Sequence, residues 1–483
     1  MSTEASLSVL TLNCWGLKFV SKDRQDRLTA IGHYLADATR GYDIVGLQEV
    51  WVHDDFLRIQ DLVADVLPYS KHWSSGVLGS GLAIFSKFPI VGTTMRRFAL
   101  NGDPMKFYHG DWYVGKCFVS VVLAHPTCGE IEVFNTHLHA GYDPAGTPDS
   151  YLGCRVGEAW EMASLVKAAT TQGRHVLSLG DYNSDPNSMV VRLMTKQGGL
   201  TDSWKKIHPE PHPIPAGLTP EEGVAIMGVT CDSSLNTWSK HVALNYLTND
   251  AIGERLDYVF YRETPELICK SVEVAVREQI SGIGAAKSSL KNYSDHFGVH
   301  ATFVIRPAVY HFQTRKPLVA SSAGSSTSLG QNRTATEEEQ ELSMEELELI
   351  VLTLDQHRLA TAKRCHLELT LLTPVMVVCT IGLIISFLWI QPRYVALIIA
   401  LVLSAFSSAW IVHFLYGFLF GGEMASAFMN TIQEVKTVIH YRQLVEQNAR
   451  STNVNVGSDS PLTRVSSGSG GSGHGSRGGL LQK

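Results

Sequence analysis

Residues 369–392 and 394–422 contain no Asp, Glu, Lys or Arg, and these two charge-free stretches constrain the chain more than any other feature. A helix of about 20 residues crosses a hydrocarbon core of ~30 Å, so each stretch is long enough to span a bilayer. Only the turn Gln391-Pro392-Arg393 separates them, which forces an antiparallel helical hairpin. Lys363 and Arg364 flank one end, and Lys436 and Arg442 the other, so the positive-inside rule predicts both ends in the cytosol. His413, inside the second stretch, is expected to find a partner or to sit at the interface. Gly382, Ser386, Ser404 and Ser407 are small residues through which a homodimer could pack.

The remainder divides around that hairpin. Residues 1–310 carry alternating short apolar runs and are expected to form one globular domain. Residues 311–335 are rich in Ser, Gly and Thr and read as a flexible linker. Residues 336–366 read as an amphipathic helix with Leu342, Leu347, Leu349, Ile350, Leu352 and Leu354 on one broad face, lying against the membrane or the globular domain. The two spans occupy 367–420, a cytosolic helix 421–447, and a Ser- and Gly-rich tail, expected to be disordered, 448–483. The start of the chain has no Lys or Arg ahead of its first apolar run, unlike a secretory signal. The eight scattered cysteines show no CxxC pair, which fits reduced thiols facing the cytosol. The sequons at Asn292 and Asn332 are then chance matches. A net charge of −6 supplies no global basic field for a nucleic acid.

Within 1–310 the apolar runs 7–12, 43–47, 82–85, 119–123, 131–134, 176–179, 258–261 and 297–304 read as strands, and 23–38 and 151–169 as helices. This pattern predicts an α+β fold, a four-layer sandwich of two sheets flanked by helices. Strand after strand ends in a polar residue. LSVLTLN ends at Asn13, IVGLQE at Glu49, IEVFNTH at His137, and HVLSLGDYN at Asp181 and Asn183, while NYSDH brings Asp295 and His296 to the last strand. Converging on one rim, these groups would make a carboxylate-rich cleft with two imidazoles. A hard cation held by one or two carboxylates and amide oxygens fits magnesium better than zinc, and Glu49 with Asn13 could supply such a site. Singly, each residue has an ordinary structural explanation; together they suit phosphodiester chemistry.

The segments LTLNCWGLKFVSKDRQDRL, DIVGLQEVW, SGVLGSGLAIFSKFPI, NGDPMKFYHGDWYVGKC, FNTHLHA, GDYNSDP, ERLDYVFY and SDHFGV resemble, in order, those of the neutral sphingomyelinases and the fungal inositol phosphosphingolipid phospholipases C. These belong to the endonuclease/exonuclease/phosphatase superfamily. The resemblance implies magnesium-dependent release of ceramide and a phosphorylated head group from a phosphosphingolipid in the bilayer. It implies Glu49 and Asn13 at the metal, Asp181, Asn183 and His137 at the substrate phosphate, and His296 as general base backed by Asp295. His137 is preferred to its neighbour His139 because it directly follows the Thr. A nuclease or inositol polyphosphate phosphatase on the same fold is the other reading, although neither needs a helical hairpin.

Residues 110–117 fit the start of a GxxxxGK[ST] motif but end in Cys117, and no strand-to-helix switch follows, so a nucleotide loop is not expected. The resemblance implies instead a regulatory loop in which Asp111 and Lys116 pair or part. It also implies stimulation by anionic phospholipids, for which Lys363, Arg364, Lys436, Arg442 and Arg450 are the available cations. The endoplasmic reticulum, or else the mitochondrial outer membrane, is the expected location. Trp51, Phe107, Tyr108, Trp112 and Tyr113 cluster near the motif residues and could touch lipid.

Overall fold

The computed structural model describes residues 4–307 apart from 145, 210–216, 240–251 and 281–290, and residues 341–456 apart from 392. The linker expected at 311–335 and Asn332 lie outside the described residues. Every strand expected from the sequence is present, with boundaries shifted by a few residues. The first sheet has the order β11 (Leu267–Ala275), β12 (Gly298–Ile305), β1 (Ala5–Asn13), β2 (Ile44–Gln48), β4 (Ala83–Ser86), β3 (Tyr69–His72). The second runs β5 (Ile90–Arg97), β6 (Cys117–His125), β7 (Gly129–His137), β8 (His175–Asp181), β10 (Asp257–Tyr261), β9 (Thr201–Asp202). β3, β5, β9 and β11 escape a search for apolar runs: β3 and β5 are polar and half exposed, and β9 has two residues.

Each sheet has one parallel pair, β1 with β2 and β7 with β8, and its other pairings are antiparallel. A parallel pair requires a crossover. These are supplied by α1 (Arg24–Ala36) and α4 (Leu152–Thr171), with α2 (His53–Val63) beside α1 and the single turn α3 (Asp111–Val114) ahead of β6. Val9, Ile44, Ile84, Val119, Leu179 and Phe303 fill the space between the sheets. α1 and α2 cover the first sheet through Leu28, Ile31 and Ile59, and α4 covers the second through Trp160, Ala163 and Val166. The result is the expected four-layer arrangement.

The C-terminal helices join the layer over the second sheet. α5 (Met344–Trp389) is one 46-residue helix, ~70 Å at 1.5 Å per residue, so the expected amphipathic helix and first span are continuous. Leu342, just ahead of it, and Leu347, Ile350 and Leu354 are buried against the globular domain, whereas Leu349 and Leu352 point to solvent and do not belong to that face. Gly153 allows α5 to approach α4, since a Cβ there would stand 2.5 Å from the His357 ring. After α6 (Arg393–Leu415) and a wider turn at Tyr416–Phe420, α7 (Gly421–Val456) returns along α5, placing Met424, Phe428, Ile432 and Val435 in the same cluster. Trp160 Nε1 donates to Glu434 at 2.9 Å, and Lys196 pairs with Glu346 at 2.9 Å. Helix continues to Val456, past the start at 448 expected for the tail, and residues 457–483 lie outside the described residues.

α5 and α6 are long and apolar enough to cross a membrane, and only 12% and 6% of their most apolar windows are buried. A core helix of a soluble domain would be mostly buried, so the exposed Val378, Phe387, Leu401 and Phe406 instead fit a lipid environment. His413 has a partner, Glu368, at 2.9 Å. Gly382 faces Leu403, and Ser386 donates to Ala396 O at 3.0 Å. These two small residues serve packing within the hairpin. Asn292 is buried and donates to Arg277 O at 2.7 Å, so its amide is not open to a sugar.

Candidate active site

Strand direction gathers the polar ends on one rim. His137 lies opposite Asp181, and Asp181 opposite Asp257, across β7, β8 and β10. On the facing sheet, Asn13 lies beside Gln48 in the β1–β2 register, and His296 immediately precedes Phe297 and β12. The rim rests on a polar bridge between the sheets, where Gln48 Nε2 donates to Asn135 Oδ1 at 2.8 Å and to Thr11 Oγ1 at 3.0 Å. Neither Asn135 nor Gln48 is marked in the sequence, because each sits within an apolar strand. Trp15, Glu49 and Asn183 adopt left-handed backbone angles, φ +46°, +58° and +46°. Such geometry costs on the order of 1–3 kcal/mol per residue and concentrates at functional sites.

The Asn13 amide joins the two sheets. Its Nδ2 donates to Glu49 Oε1 at 3.1 Å and to Asp181 Oδ2 at 3.0 Å, while its oxygen accepts from the Trp15 N–H at 3.0 Å. His137 Nε2 lies 3.6 Å and His296 Nε2 4.0 Å from Asp181 Oδ2. Burial, and then the neighbouring Asp257 charge, push the Asp181 carboxyl above its ordinary value. Burial and then Lys116 hold His137 well below the ordinary histidine value, so its imidazole is neutral.

The carboxylate behind His296 is Asp257, not Asp295. His296 Nδ1 lies 2.8 Å from Asp257 Oδ2, whereas Asp295 Oδ1 accepts from Ser294 Oγ at 3.2 Å. Sequence adjacency misleads here, since neighbouring residues of an extended segment point to opposite sides. Asp257 opens an antiparallel strand, so a rule that searches the ends of apolar runs passes over it. Burial disfavours charge on His296, but Cys231 and then Asp257 together outweigh it and raise the imidazole well above its ordinary value. The adjacent Cys231 thiol is itself pushed up to about 12 by burial. Asp295, close to Glu49 and Arg27, is raised to about 6, chiefly by burial.

Arg27 was also unmarked in the sequence. It donates to the carbonyls of Lys22, Cys14, Tyr293 and Trp15 at 2.6–3.0 Å and lies near the rings of both Trp15 and Trp238. It thereby ties the turn after Asn13 to the segment that carries His296.

Asn183 Nδ2 donates to Leu138 O at 2.9 Å, and Lys116 Nζ donates to the same carbonyl at 3.1 Å. Lys116 and Asp111 form a buried ion pair at 2.9 Å. Burial alone would raise the Asp111 carboxyl, but Lys116, His139 and the Tyr142 hydroxyl at 2.6 Å bring it down to about 2. His139 stacks on Tyr151 at 3.9 Å and faces Asp111, while His137 faces Asp181.

Ligand atoms of Asp181, Asp257 and His296 lie within 4.8 Å of one another, so this acidic and histidine cluster could bind a metal. With Glu49 it forms an oxygen-rich set whose facing partners are amides and imidazoles. Asp257 Oδ1 and His137 Nδ1 are buried without a hydrogen-bond partner among the described residues, as at a site that awaits a ligand. The residues present therefore fit a hard divalent cation.

A two-sheet sandwich with this rim defines a phosphoesterase-type fold, and the sequence agrees: residues 10–296 match the endonuclease/exonuclease/phosphatase family. The chain belongs to that family. Among curated proteins it is 40% identical over 311 residues to an inositol phosphosphingolipids phospholipase C of Schizosaccharomyces pombe, covering 63% of this chain and 70% of that one. It is 31% identical over 302 residues to the sphingomyelin phosphodiesterase 2 of Homo sapiens, covering 62% and 65%. Among solved structures, the sphingomyelinase C of Streptomyces griseocarneus matches at 20% identity and a TM-score of 0.42, covering 62% of this chain and 99% of that one.

Proposed function

We propose that this chain is a membrane-anchored phosphodiesterase of the phospholipase C type, cleaving inositol phosphorylceramides, sphingomyelin or both to ceramide and a phosphorylated head group. The observation that carries the reading is the His296–Asp257 dyad poised beside Asp181, which the Asn13 amide joins to Glu49. The relatives named above act on phosphosphingolipids.

In this reading Mg²⁺, held by Glu49 with Asn13, would polarise a phosphoryl oxygen and offset charge developing on phosphorus. Asp257 fixes the His296 ring through Nδ1, and it is the neutral form of His296 that takes the proton of the attacking water at Nε2. This use of Nδ1 favours a proton-transfer role for the trio Asp181, Asp257 and His296 over one in which all three ligate the ion. The phosphorus–oxygen bond to ceramide breaks, and the leaving alkoxide takes up a proton. His137, neutral and buried, suits a hydrogen bond to the phosphoryl group, with Asp181 and Asn183 lining the phosphate site. Asp295 lies next to the dyad and adjusts its charge.

The Asp111–Lys116 pair is proposed as a regulatory loop, linked to the site through the Leu138 carbonyl that Lys116 and Asn183 share. The catalytic domain is read as cytosolic, on the endoplasmic reticulum or the mitochondrial outer membrane. Anionic phospholipids are proposed activators. For that role Lys363 is better placed than Arg442, which pairs with Glu341 at the end of α5 far from the spans, or Arg364, which pairs with Asp103.

Hydrolysis of sphingomyelin and of inositol phosphorylceramide, with and without magnesium, tests the reading on the intact chain and on His296→Ala. The expected outcome is magnesium-dependent ceramide release that falls by about 10²–10⁴-fold in the variant. Absence of ceramide from both lipids would overturn it.

A further inference from the structure

The cleft and the apolar spans lie at the same end of the sandwich. β7 reaches the rim at His137 and α4 starts shortly afterwards at Leu152, so the N-terminal end of α4 is its rim end. α5 begins beside the second sheet's helical layer, with Glu346 on Lys196, and reaches the rim end where His357 meets Gly153 and Arg364 pairs with Asp103. Tyr416, at the exit of α6, lies 3.3 Å from the same Asp103 carboxylate. The charge-free stretches start at 369 and stop at 422, so the bilayer boundary falls about level with the Asp103 loop, and that loop leads directly into Asp111.

Three rim loops hold large apolar side chains in solvent at this level. After β1, Phe19 is 92% and Val20 65% exposed; between β3 and β4, Val77 is 78% and Leu78 49% exposed; between β5 and β6, Phe107 is 72% and Tyr108 69% exposed. Their backbones are held in place. Ser21 N donates to Leu17 O at 3.0 Å, so that Phe19 caps a tight turn, and Val77 N donates to Tyr113 O at 2.7 Å. Trp112 and Tyr113, expected among the lipid-facing aromatics, are instead half-buried, Trp112 against the second sheet's helical core and Tyr113 with its hydroxyl on Pro104 O at 2.8 Å. Lys18 and Lys22 are exposed beside Phe19, and Lys106 precedes Phe107. Apolar tips interleaved with lysines match a lipid head-group layer, where apolar groups enter the acyl boundary and cations meet phosphates.

We propose that these three loops form a bilayer-docking surface of the catalytic domain, separate from the hairpin, which presses the cleft mouth onto the membrane. The continuous α5 fixes its height, because the same helix packs on α4 and enters the bilayer, with α7 packed beside its domain-facing part. A lipid substrate then reaches the dyad without leaving the head-group layer. The proposal rests on reading α5 and α6 as a membrane hairpin, and its test separates the two.

The full chain is reconstituted in vesicles with Val20→Cys, Val77→Cys or Phe107→Cys carrying an environment-sensitive fluorophore, and quenching by lipids brominated along their acyl chains is measured. Val91→Cys, exposed beside Ile90 at the opposite end of the sandwich, is the aqueous control, and Leu401→Cys in α6 the membrane control. Labelling of the unsubstituted chain sets the background from its native thiols. Quenching at all three loops several-fold above Val91, together with strong quenching at Leu401, supports the docking surface. Quenching at Leu401 with the loops no different from Val91 overturns it and leaves the hairpin standing. Absence of quenching at Leu401 removes the hairpin and the proposal with it.

Discussion

The two sheets share one order of pairings, antiparallel about a central parallel pair, yet they are covered from different parts of the chain. Over the first sheet lie α1 and α2, which come from the crossover and the segment next to it. Over the second lies α4 together with α5 and α7, recruited across the whole domain. The first sheet's cover is therefore local, although its strands β11 and β12 come from the far end of the domain, while the second half is the one fastened to the apolar helices. The candidate site straddles both halves, so its chemistry depends on the sandwich as a whole and its placement at a membrane on the second half.

The largest effect is expected where the halves meet. Asp257→Asn in the second sheet should lower kcat for ceramide release by about 10²–10⁴-fold, because the buried dyad loses its charge and ring orientation. Asp295→Asn, whose carboxylate bonds Ser294, should cost markedly less. Equal losses in a side-by-side kcat measurement would restore Asp295 as the partner of His296.

Next comes the buried pair beside the second sheet. Lys116→Met leaves Asp111 without its cation, which should destabilise the fold by about 3–5 kcal/mol in denaturant unfolding. Lys116→Met with Asp111→Asn should recover much of that loss. The folded-state value of Asp111, about 2, lies below its ordinary 3.8. Its contribution is thus fully present above the ordinary value and disappears as pH falls toward 2. Asp111→Asn should flatten that acid limb of the stability profile, and an unchanged limb would show that the pair contributes nothing.

The smallest expected effect compares the two covers directly. Leu354→Ala and Ile59→Ala remove comparable buried side chains from the second and first sheets' outer layers, each at about 2–5 kcal/mol. Only Leu354→Ala should loosen α5 from the domain, seen as faster limited proteolysis near the start of α5. If Ile59→Ala exposes the same site equally, the two covers are not independent.

Much of the site was legible because its residues end apolar runs. Asn13, Glu49, His137 and Asp181 each terminate a strand whose period is visible, and His296 opens the approach to another. Asp257 and Arg27 were not legible. Asp257 starts its strand, and Arg27 works through carbonyls of residues distant in sequence, so neither has a local signature. Asp295 was legible as a candidate, but the place behind His296 that the resemblance implies for it is held by Asp257.

The sequence by itself determined the helical hairpin, the strand set and most of the polar rim, because charge-free length and side-chain period are local quantities set by helix rise and β pleat. Tertiary structure alone decided which carboxylate backs His296, that Leu347, Ile350 and Leu354 face the catalytic domain, and that the spans leave from the end where the cleft opens. Those outcomes depend on which surfaces meet across long separations, and a pattern of residues along the chain carries no record of the partner that buries it.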